Sequence, residues 1–391
     1  MVLFPPYNDL KRLRKQGEIE MRNYKGHFVT LHGSSAEIGK QQANTLKDIA
    51  QSDPTLLQSV LMPVPSISDT QLKETVTLLN DYCPGVTDEI HSFCEEMKVP
   101  PSQLIYMMST YLTPGCSLGA VLPKKTKNAH TLVLRNYDLS PMLADFRLCD
   151  TQVVGKYHHI GFSASWFGRT EGINQEGLCV TFASCGMPTG NYPGMKKPAM
   201  KGLQFWAIVR SLLEQCKNVS EALALVNEMP TSSNMNLLIA DASGQASLVE
   251  TLDGSKVVRS AHVEEKGYLI ATNHAHIPEI ASLEQGRLKQ SVQRYQVLNE
   301  LLENQSEFMK GDLKEIMQLE YPKGLAVHNY DEFFGTIHSI VFDLNDRTLD
   351  LCFGSPVHND WIQIKVGDPM PIREIDIQIQ KQKYDDFWAI V

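Results

Sequence analysis

The chain has 391 residues, of which 42% are hydrophobic, 8% aromatic and 21% charged, and this composition excludes a disordered or fibrous protein. The length allows two modest domains or one large layered domain with a substantial core. The formal net charge is −9, so no nucleic acid is expected as a partner.

Location and redox state are also constrained by the sequence. No stretch approaches 18 consecutive apolar residues, so no membrane span is expected. Pro5 and Pro6 lie where a secretory signal would carry its apolar core, so the sequence favours a cytoplasmic protein. The eight cysteines form no CxxC pair, and most are expected to be reduced.

Residues 34–115 are predicted to be mainly helical. The segments 34–37 and 68–71 carry capping-box patterns, and each is followed by apolar residues at helical spacing. Another helix has apolar residues at i, i+3, i+4 and i+7, which are Ile90, Phe93, Cys94 and Met97. Pro100 and Pro101 end this helix, and a further helix is predicted over 102–112.

After Cys116 the pattern changes to short strand-like runs separated by turn residues. The predicted strands are 118–122, 131–135, 178–182, 237–240, 246–251 and 268–272, with alternating isoleucines at the chain end. Turn residues at 241–244 and 345–347 predict antiparallel hairpins. Helical segments at 202–229 and 283–302 interrupt the strands. Strands in hairpins with helices in blocks favour an α+β layered fold over a doubly wound sheet.

The change of pattern falls on the Gly115-Cys116 bond and divides the chain into residues 1–115 and 116–391. Glycine does not shield its carbonyl, so the Cys116 thiol could attack it and form a thioester that water then cuts. The new α-amine, with an ordinary pKa of about 7.7–8.0, could act as base for its own thiol. The alternative interpretation is that Cys116 is a small buried apolar residue.

Several motifs occur in a characteristic order. Cys116 opens one predicted strand, and a second predicted strand leads into Arg135-Asn136-Tyr137-Asp138. This layout resembles the start of the mature chain in the choloylglycine hydrolase and penicillin acyltransferase-like branch of the N-terminal-nucleophile hydrolases. Segments 171–180, 271–274 and 291–295 are similar to further motifs of that branch. The long leader and the segment 34–39 resemble penicillin acyltransferase-like precursors.

The resemblance implies a fold and an activity. The fold would be a four-layer αββα sandwich, with 1–115 as a helix-rich prosegment, or α-chain, and 116–391 as the catalytic β-chain. The activity would be that of an autoproteolytic amidohydrolase or acyltransferase, made as a zymogen. It would act on linear non-peptide amides or acyl thioesters through a thioester acyl-enzyme. The cleaved precursor would be an α/β heterodimer, a homo-oligomer is left open, and no metal or cofactor is expected.

The resemblance also implies roles for single residues. Cys116 would be the nucleophile in both self-cleavage and turnover. Arg135 would lower the thiol pKa, and Asp138 would hold the α-ammonium or orient the thiol. Asn273 would donate a hydrogen bond to the oxyanion, and Ser184 lies where a second donor is usual.

Other assignments have structural alternatives. Arg294 would brace the site or bind substrate, and Phe182 and Trp166 would line an apolar pocket. Aromatic residues in this setting also serve as core. Equally, Arg135 and Asp138 could form a surface ion pair, Asn273 could stabilise a turn, and Arg294 could be a solvated helix arginine.

Two other functions remain open from sequence. His274 and His276 form a His-x-His pair of the kind that metal-dependent hydrolases use. Alternatively, the chain could keep the scaffold as a non-catalytic interaction protein. The presence of Cys116, Arg135 and Asp138 together argues against this second alternative.

Overall fold

The structure, a computed structural model, describes residues 24–51, 57, 61, 68–108, 115–187, 201–261 and 266–391. The strands are β1 Tyr24–Gly33, β2 Gly115–Val121, β3 Leu132–Leu139, β4 Arg147–Val153, β5 His159–Ala164, β6 Gly168–Asn174, β7 Cys179–Ser184, β8 Met235–Ala240, β9 Ala246–Leu252, β10 Ser255–Ala261, β11 Tyr268–Ala271, β12 His328–Asn329, β13 Phe334–Asp343, β14 Thr348–Phe353, β15 Ile362–Lys365 and β16 Glu374–Ile377. The helices are α1 Ser35–Ile49, α2 Asp69–Tyr82, α3 Val86–Met97, α4 Pro101–Met108, α5 Phe205–Gln215, α6 Val219–Glu228, α7 Pro278–Ala281, α8 Lys289–Asn304 and α9 Lys310–Gln318.

The strands form two sheets. Sheet 1 has nine strands in the order β10-β9-β8-β7-β6-β5-β4-β1-β16, and sheet 2 has the order β11-β2-β3-β13-β14-β15 with β12 beside β13. Among the described strands, β1 and β4 pair in parallel and the other neighbours are antiparallel. The predicted turns at 241–244 and 345–347 are confirmed, because they join β8 to β9 and β13 to β14.

Apolar side chains separate four layers. Both sheets contribute to a central cluster that includes Leu118, Val133, Ile160, Phe162, Ile173, Leu248 and Ile340. Helices α1, α3, α5 and α6 cover the outer face of sheet 1, and α8 and α9 cover the outer face of sheet 2. The predicted αββα sandwich is therefore confirmed. Strands buried on both faces need apolar residues on both, which is why several of them show no clean alternation.

Local capping explains where the first helices begin. The Ser34 hydroxyl accepts a hydrogen bond from the Glu37 N–H at 3.3 Å, and the Glu37 carboxylate accepts the Ser34 N–H at 2.8 Å. Ser68 and Gln71 repeat this arrangement at the start of α2. Both predicted capping boxes are confirmed. Of the helix predicted over 102–112, the structure describes Pro101–Met108, and residues 109–112 lie outside the described part.

The segment before Gly115 also contributes a strand that the sequence pattern did not reveal. Strand β1 lies between β4 and β16 and is therefore an integral part of sheet 1. Two adjacent apolar residues, Phe28 and Val29, shift the alternation of polar and apolar residues in the middle of the strand, so no continuous pattern indicates it. The helix-rich N-terminal segment thus pairs through its backbone with residues beyond Cys116.

Two further features concern the chain as a whole. Each of the eight cysteines is a buried free thiol. In the described part of the chain, no helix combines the length and the apolar character that crossing a membrane requires.

A buried ionic group joins helix α3 to helix α5 within the helical layer over sheet 1. Arg210 on α5 donates to both carboxylate oxygens of Glu89 on α3, at 3.0 and 2.6 Å, and to Glu214 at 2.8 Å. Burial opposes ionisation of Glu214, but Arg210 and Lys156 outweigh it and lower the pKa of Glu214 to about 2. Both carboxylates are nearly inaccessible to solvent, so each needs its cationic partner to remain charged.

Replacing Glu89 with glutamine leaves part of the Arg210 charge uncompensated. We expect Glu89→Gln to lower the free energy of unfolding by about 3 to 5 kcal/mol, measured by chemical denaturation. The control is Lys217→Ala, whose ion pair with Glu221 is exposed, with side chains 54% and 42% accessible. That control should change stability by no more than about 0.5 kcal/mol. Equal effects of the two variants would contradict a structural role for the buried group.

Candidate active site

Cys116 lies near the start of β2, with β3 on one side and the end of β11 on the other. It pairs with Tyr137 of β3, and Gly115 pairs with Asp138. A Cβ atom on Gly115 would lie 1.6 Å from the Phe334 ring. Only glycine therefore fits before Cys116, for a steric reason that adds to the exposure of its carbonyl.

The Cys116 side chain belongs to the cluster between the two sheets. Arg135 lies on the same face of β3 as Tyr137, because side chains alternate along a strand. Its Nε donates a hydrogen bond to Glu171 of β6 on the opposite sheet. Glu171 also pairs with His338 of β13, with Oε1 and Nε2 2.7 Å apart. A polar chain of buried residues therefore runs from the thiol across to sheet 1.

Burial governs the state of the thiol in the intact chain. Cys116 has no accessible surface, and desolvation raises its pKa to about 11 even though Arg135 acts to lower it. Glu171 compensates the Arg135 charge through the contact with Nε, and the effect of Arg135 on the thiol pKa is smaller than that of burial. At neutral pH Cys116 is a protonated, sealed thiol.

The pKa values of Glu171 and of its partner His338 are both lowered. Burial opposes ionisation of Glu171, but Arg135 and His338 outweigh it and lower the pKa of Glu171 to about 2. Burial lowers the pKa of His338, whose ring stacks on Phe162 and Tyr137 with centroids 3.6 and 4.9 Å apart. At neutral pH a carboxylate therefore faces the Arg135 guanidinium.

The backbone of Cys116 is held by a second group of side chains. Its N–H donates to Oδ1 of Asn273 at 2.8 Å. Its carbonyl accepts a hydrogen bond from Nη1 of Arg294 at 2.6 Å, and Nη2 of Arg294 donates to Asn273 Oδ1 at 2.7 Å. Arg294 on α8 therefore fixes both Cys116 and the amide that contacts the Cys116 nitrogen.

Asp138 lies on the face of β3 opposite to the thiol. Its Oδ1 accepts a hydrogen bond from Thr336 at 2.7 Å, and Oδ2 lies 3.6 Å from Nη1 of Arg294. Burial raises the pKa of Asp138 to about 6, although Arg294 and Thr336 oppose this. Asp138 is thus a carboxyl group that titrates close to neutral pH beside the Gly115-Cys116 bond.

The two predicted oxyanion donors, Asn273 and Ser184, are in contact. Nδ2 of Asn273 donates to the hydroxyl of Ser184 at 2.9 Å and to the Ser184 carbonyl at 3.3 Å. Its own N–H donates to Ser291 at 2.8 Å, which fixes the loop after β11 against α8. The structure therefore gathers Cys116, Arg135, Asp138, Asn273, Ser184 and Arg294 into one site.

The burial of these residues decides between two of the sequence alternatives. Arg135, Asp138 and Arg294 have no accessible surface. The interpretation of Arg135 and Asp138 as a surface ion pair is therefore wrong, and so is that of Arg294 as a solvated helix arginine.

Trp166 and Phe182, predicted to line a substrate pocket, do not join the group around Cys116. Both belong to the cluster on the outer, helix-covered face of sheet 1. Phe182 stacks on Phe205 with ring centroids 3.8 Å apart, and the Arg147 guanidinium lies 3.8 Å from the Trp166 ring. In the intact chain they are core residues, as the alternative interpretation had it.

His274 and His276 hold the loop around Asn273. Nδ1 of His274 lies 2.9 Å from the Ser291 hydroxyl, and Nε2 of His276 accepts the Thr272 N–H at 3.0 Å. Burial lowers the pKa of both rings, that of His274 to about 3. Within the described residues, neither histidine belongs to a group of three possible metal ligands. The geometry gives no support to a metal-dependent hydrolase built on this pair.

Three site residues carry no separate signal in the sequence. Glu171 lies within segment 171–180, and Thr336 and His338 lie on β13, yet no local pattern marks these side chains as contacts of one another, of Arg135 or of Asp138. Glu171 and Arg135 come from opposite sheets, so only the packing of the sandwich reveals their contact.

Comparison with known proteins gives a family and a set of similar structures. Residues 124–358, more than half of the chain, match the model of the acyl-coenzyme A:6-aminopenicillanic acid acyl-transferase family. A mutant of the conjugated bile acid hydrolase from Clostridium perfringens is 12% identical, with a TM-score of 0.43 over 68% of this chain and 97% of that one. Penicillin V acylase from Agrobacterium tumefaciens is 16% identical, with a TM-score of 0.42 over 64% and 86%. No curated protein sequence matches significantly.

The raised pKa of Asp138 predicts a pH dependence of stability. The folded chain retains a proton on Asp138 up to about pH 6, whereas an unfolded aspartate loses it near pH 3.9. This contribution is therefore full below about pH 4 and is lost as pH rises through 6. Relative to Cys116→Ala alone, the double variant Cys116→Ala/Asp138→Asn should gain on the order of 3 kcal/mol in free energy of unfolding between pH 4 and 7.

The measurement is denaturant unfolding of both proteins across this pH range. Asn227→Ala, at an exposed helix position without a titratable side chain, serves as the control and should show a nearly constant difference. A constant difference for Asp138→Asn as well would contradict the raised pKa.

Proposed function

Because the chain belongs to the acyl-coenzyme A:6-aminopenicillanic acid acyl-transferase family, we propose that it is an amide hydrolase or acyltransferase whose nucleophile is Cys116. Family membership confirms the resemblance found in the sequence. The matched residues begin at 124, after the Gly115-Cys116 bond, so the choice of nucleophile depends on the site itself. The observation that supports Cys116 as the nucleophile is that Asn273 and Arg294 hold its backbone by hydrogen bonds.

The first step would be self-cleavage. The Cys116 sulfur attacks the Gly115 carbonyl carbon, the C–N bond breaks, and the nitrogen takes up a proton to become the α-amine of Cys116. Water then adds to the resulting thioester and releases the thiol and a carboxylate on Gly115. The bare α-carbon of Gly115, which does not shield its carbonyl, and the hydrogen bond that fixes the Cys116 carbonyl support this step.

The new terminus would carry out turnover. An α-amine has an ordinary pKa of about 7.7–8.0 and can accept the proton of its own thiol. Asn273 Oδ1, 2.8 Å from the Cys116 nitrogen in the intact chain, would then accept a hydrogen bond from that amine. The thiolate, next to the Arg135 charge, would attack an acyl amide or acyl thioester, and the acyl-enzyme would pass to water or to an amine.

Asn273 and Ser184 would stabilise the oxyanion. A donor of this kind typically contributes roughly 3 kcal/mol to transition-state stabilisation. Nδ2 of Asn273 and the Ser184 hydroxyl lie 2.9 Å apart, so one developing charge could be reached by both. Asp138 would hold the α-ammonium, because it lies across from Gly115 in the register and on the face opposite to the thiol.

The two products of cleavage would stay together. Residues 1–115 would form the α-chain and 116–391 the β-chain. Strand β1 of the first part is hydrogen-bonded to β4 and β16 of the second, and Glu89 pairs with Arg210 across the same boundary. We propose an α/β heterodimer acting on a linear, non-peptide acyl substrate.

Self-cleavage predicts a specific pair of fragments. Intact-mass analysis of the purified chain should show species corresponding to residues 1–115 and 116–391, with Cys116→Ala giving one uncut chain. Cys94→Ala, which removes another buried thiol, should cleave like the wild type. A wild-type chain that stays intact would contradict self-processing and would favour the non-catalytic scaffold.

Turnover should depend on Cys116 and Asn273 to different degrees. The assay is a screen of N-acyl amides, including penicillins, conjugated bile salts and N-acyl amino acids. Cys116→Ala should be inactive, and cleaved Asn273→Ala should lose about 10²- to 10³-fold in kcat. Asn227→Ala, at an exposed helix position, is the control and should retain wild-type rates. Activity in Cys116→Ala equal to that of the wild type would show that the nucleophile is a different residue.

A further inference from the structure

Three metal-ligand side chains converge away from the Cys116 group. His32 on β1, Asp150 on β4 and His158 just before β5 each offer one donor atom, and these atoms all lie within 4.8 Å of one another. Nε2 of His32 is 3.3 Å from Oδ2 of Asp150. Nε2 of His158 contacts the other carboxylate oxygen, Oδ1. The two ring planes are nearly perpendicular, at 86°, with centroids 5.7 Å apart.

We propose that this cluster binds a divalent transition-metal ion, for which Zn²⁺ is the model. Two imidazole nitrogens and one carboxylate oxygen are a donor set that zinc accepts, with a solvent molecule in the fourth position. Donor atoms around a tetrahedral zinc lie about 3.4 Å apart, given bonds of about 2.0–2.1 Å. The separation between His32 and Asp150 already matches this value.

The accessibility of the three side chains fits an ion that enters from solvent. The Asp150 and His158 side chains are 6% and 11% exposed, whereas that of His32 is 44% exposed. The Asp150 carboxylate and the His158 imidazole thus form the buried side of the cluster, and His32 lies on the side that faces solvent. An ion held there would keep room for a water ligand.

Two glutamines hold the histidine backbones in place. Gln41 on α1 accepts the His32 N–H at 3.0 Å and donates to the His32 carbonyl at 2.8 Å. Gln175 does the same for His158, accepting its N–H through the side chain at 3.0 Å and donating its own N–H to the His158 carbonyl at 2.8 Å. Rigid support of this kind is what a preorganised metal site needs.

A second cluster in the described residues is a weaker candidate. His130 lies 2.9 Å from Asp343 and 4.0 Å from Asp346, whose side chain is 62% exposed. Asp343 also accepts the Asp346 N–H, so it stabilises a turn. This cluster has one imidazole rather than two, and we make no proposal for it.

The site was not expected from the sequence, which led us to predict no metal. His32 and His158 are far apart in the chain and follow no metal-binding motif. The sheet brings them together because β1 lies beside β4. If Gly115-Cys116 is cleaved, as proposed above, the ion would have ligands in both products and would link them.

The test is a calorimetric titration with Zn²⁺ alone of the full-length Cys116→Ala chain, after treatment with a chelator. Because this chain cannot cleave itself, the result does not depend on the proposed function. We expect one zinc per chain. Changing His32 to alanine or glutamine should weaken binding by on the order of 100-fold or more, since even outer-shell partners account for about 10- to 100-fold.

His91→Ala, which removes an exposed histidine of α3, is the matched control and should leave zinc binding unchanged. Circular dichroism of each variant, together with the glutamine substitution at the half-exposed position 32, separates loss of a ligand from loss of fold. The proposal is overturned if no stoichiometric zinc binds. It is also overturned if zinc binds equally well to His32→Ala, His32→Gln and Asp150→Asn.

Discussion

The structure around Cys116 depends on the compensation of two buried guanidinium charges. Arg135 is neutralised by Glu171, and Arg294 faces Asp138 while it holds the Cys116 carbonyl and the Asn273 amide. Charges so far from solvent persist only with close partners and further hydrogen bonds. Because Glu171 belongs to sheet 1 and Arg135 to sheet 2, the same contact also fixes how the two sheets are aligned at the thiol.

The two carboxyl groups of the site differ in charge behaviour. Glu171, between Arg135 and His338, has its pKa lowered to about 2, whereas that of Asp138 is raised to about 6. Paired groups with opposite shifts are characteristic of sites that separate a permanent charge from one that can change. Glu171 is suited to a constant structural charge that sets the field at the sulfur. Asp138 is a group whose charge would respond if the proposed cleavage formed a cationic amine beside it.

The sequence was informative where interactions are local or where motifs keep their order. Capping boxes at Ser34 and Ser68 and the two hairpin turns depend on residues within a few positions of each other, and these were predicted correctly. The motif order indicated the αββα layers and the residues that meet at Cys116. The contact of Glu171 with Arg135 depends on how two sheets pack, which no short pattern encodes. The predicted pocket role of Phe182 is not supported, for a related reason. The sequence of a strand that is buried on both faces does not indicate which face a given residue occupies.

The position of β1 has a consequence for the independence of the region that begins at Cys116. If residues 1–115 were removed altogether, β4 would keep β5 but lose its other neighbour, and β16 would lose its only strand partner within the described sheet. Unpaired strand edges of this kind are templates for intermolecular association. Residues 1–115 therefore complete sheet 1 through β1. Residues 116–391 produced without them would tend to aggregate rather than fold on their own.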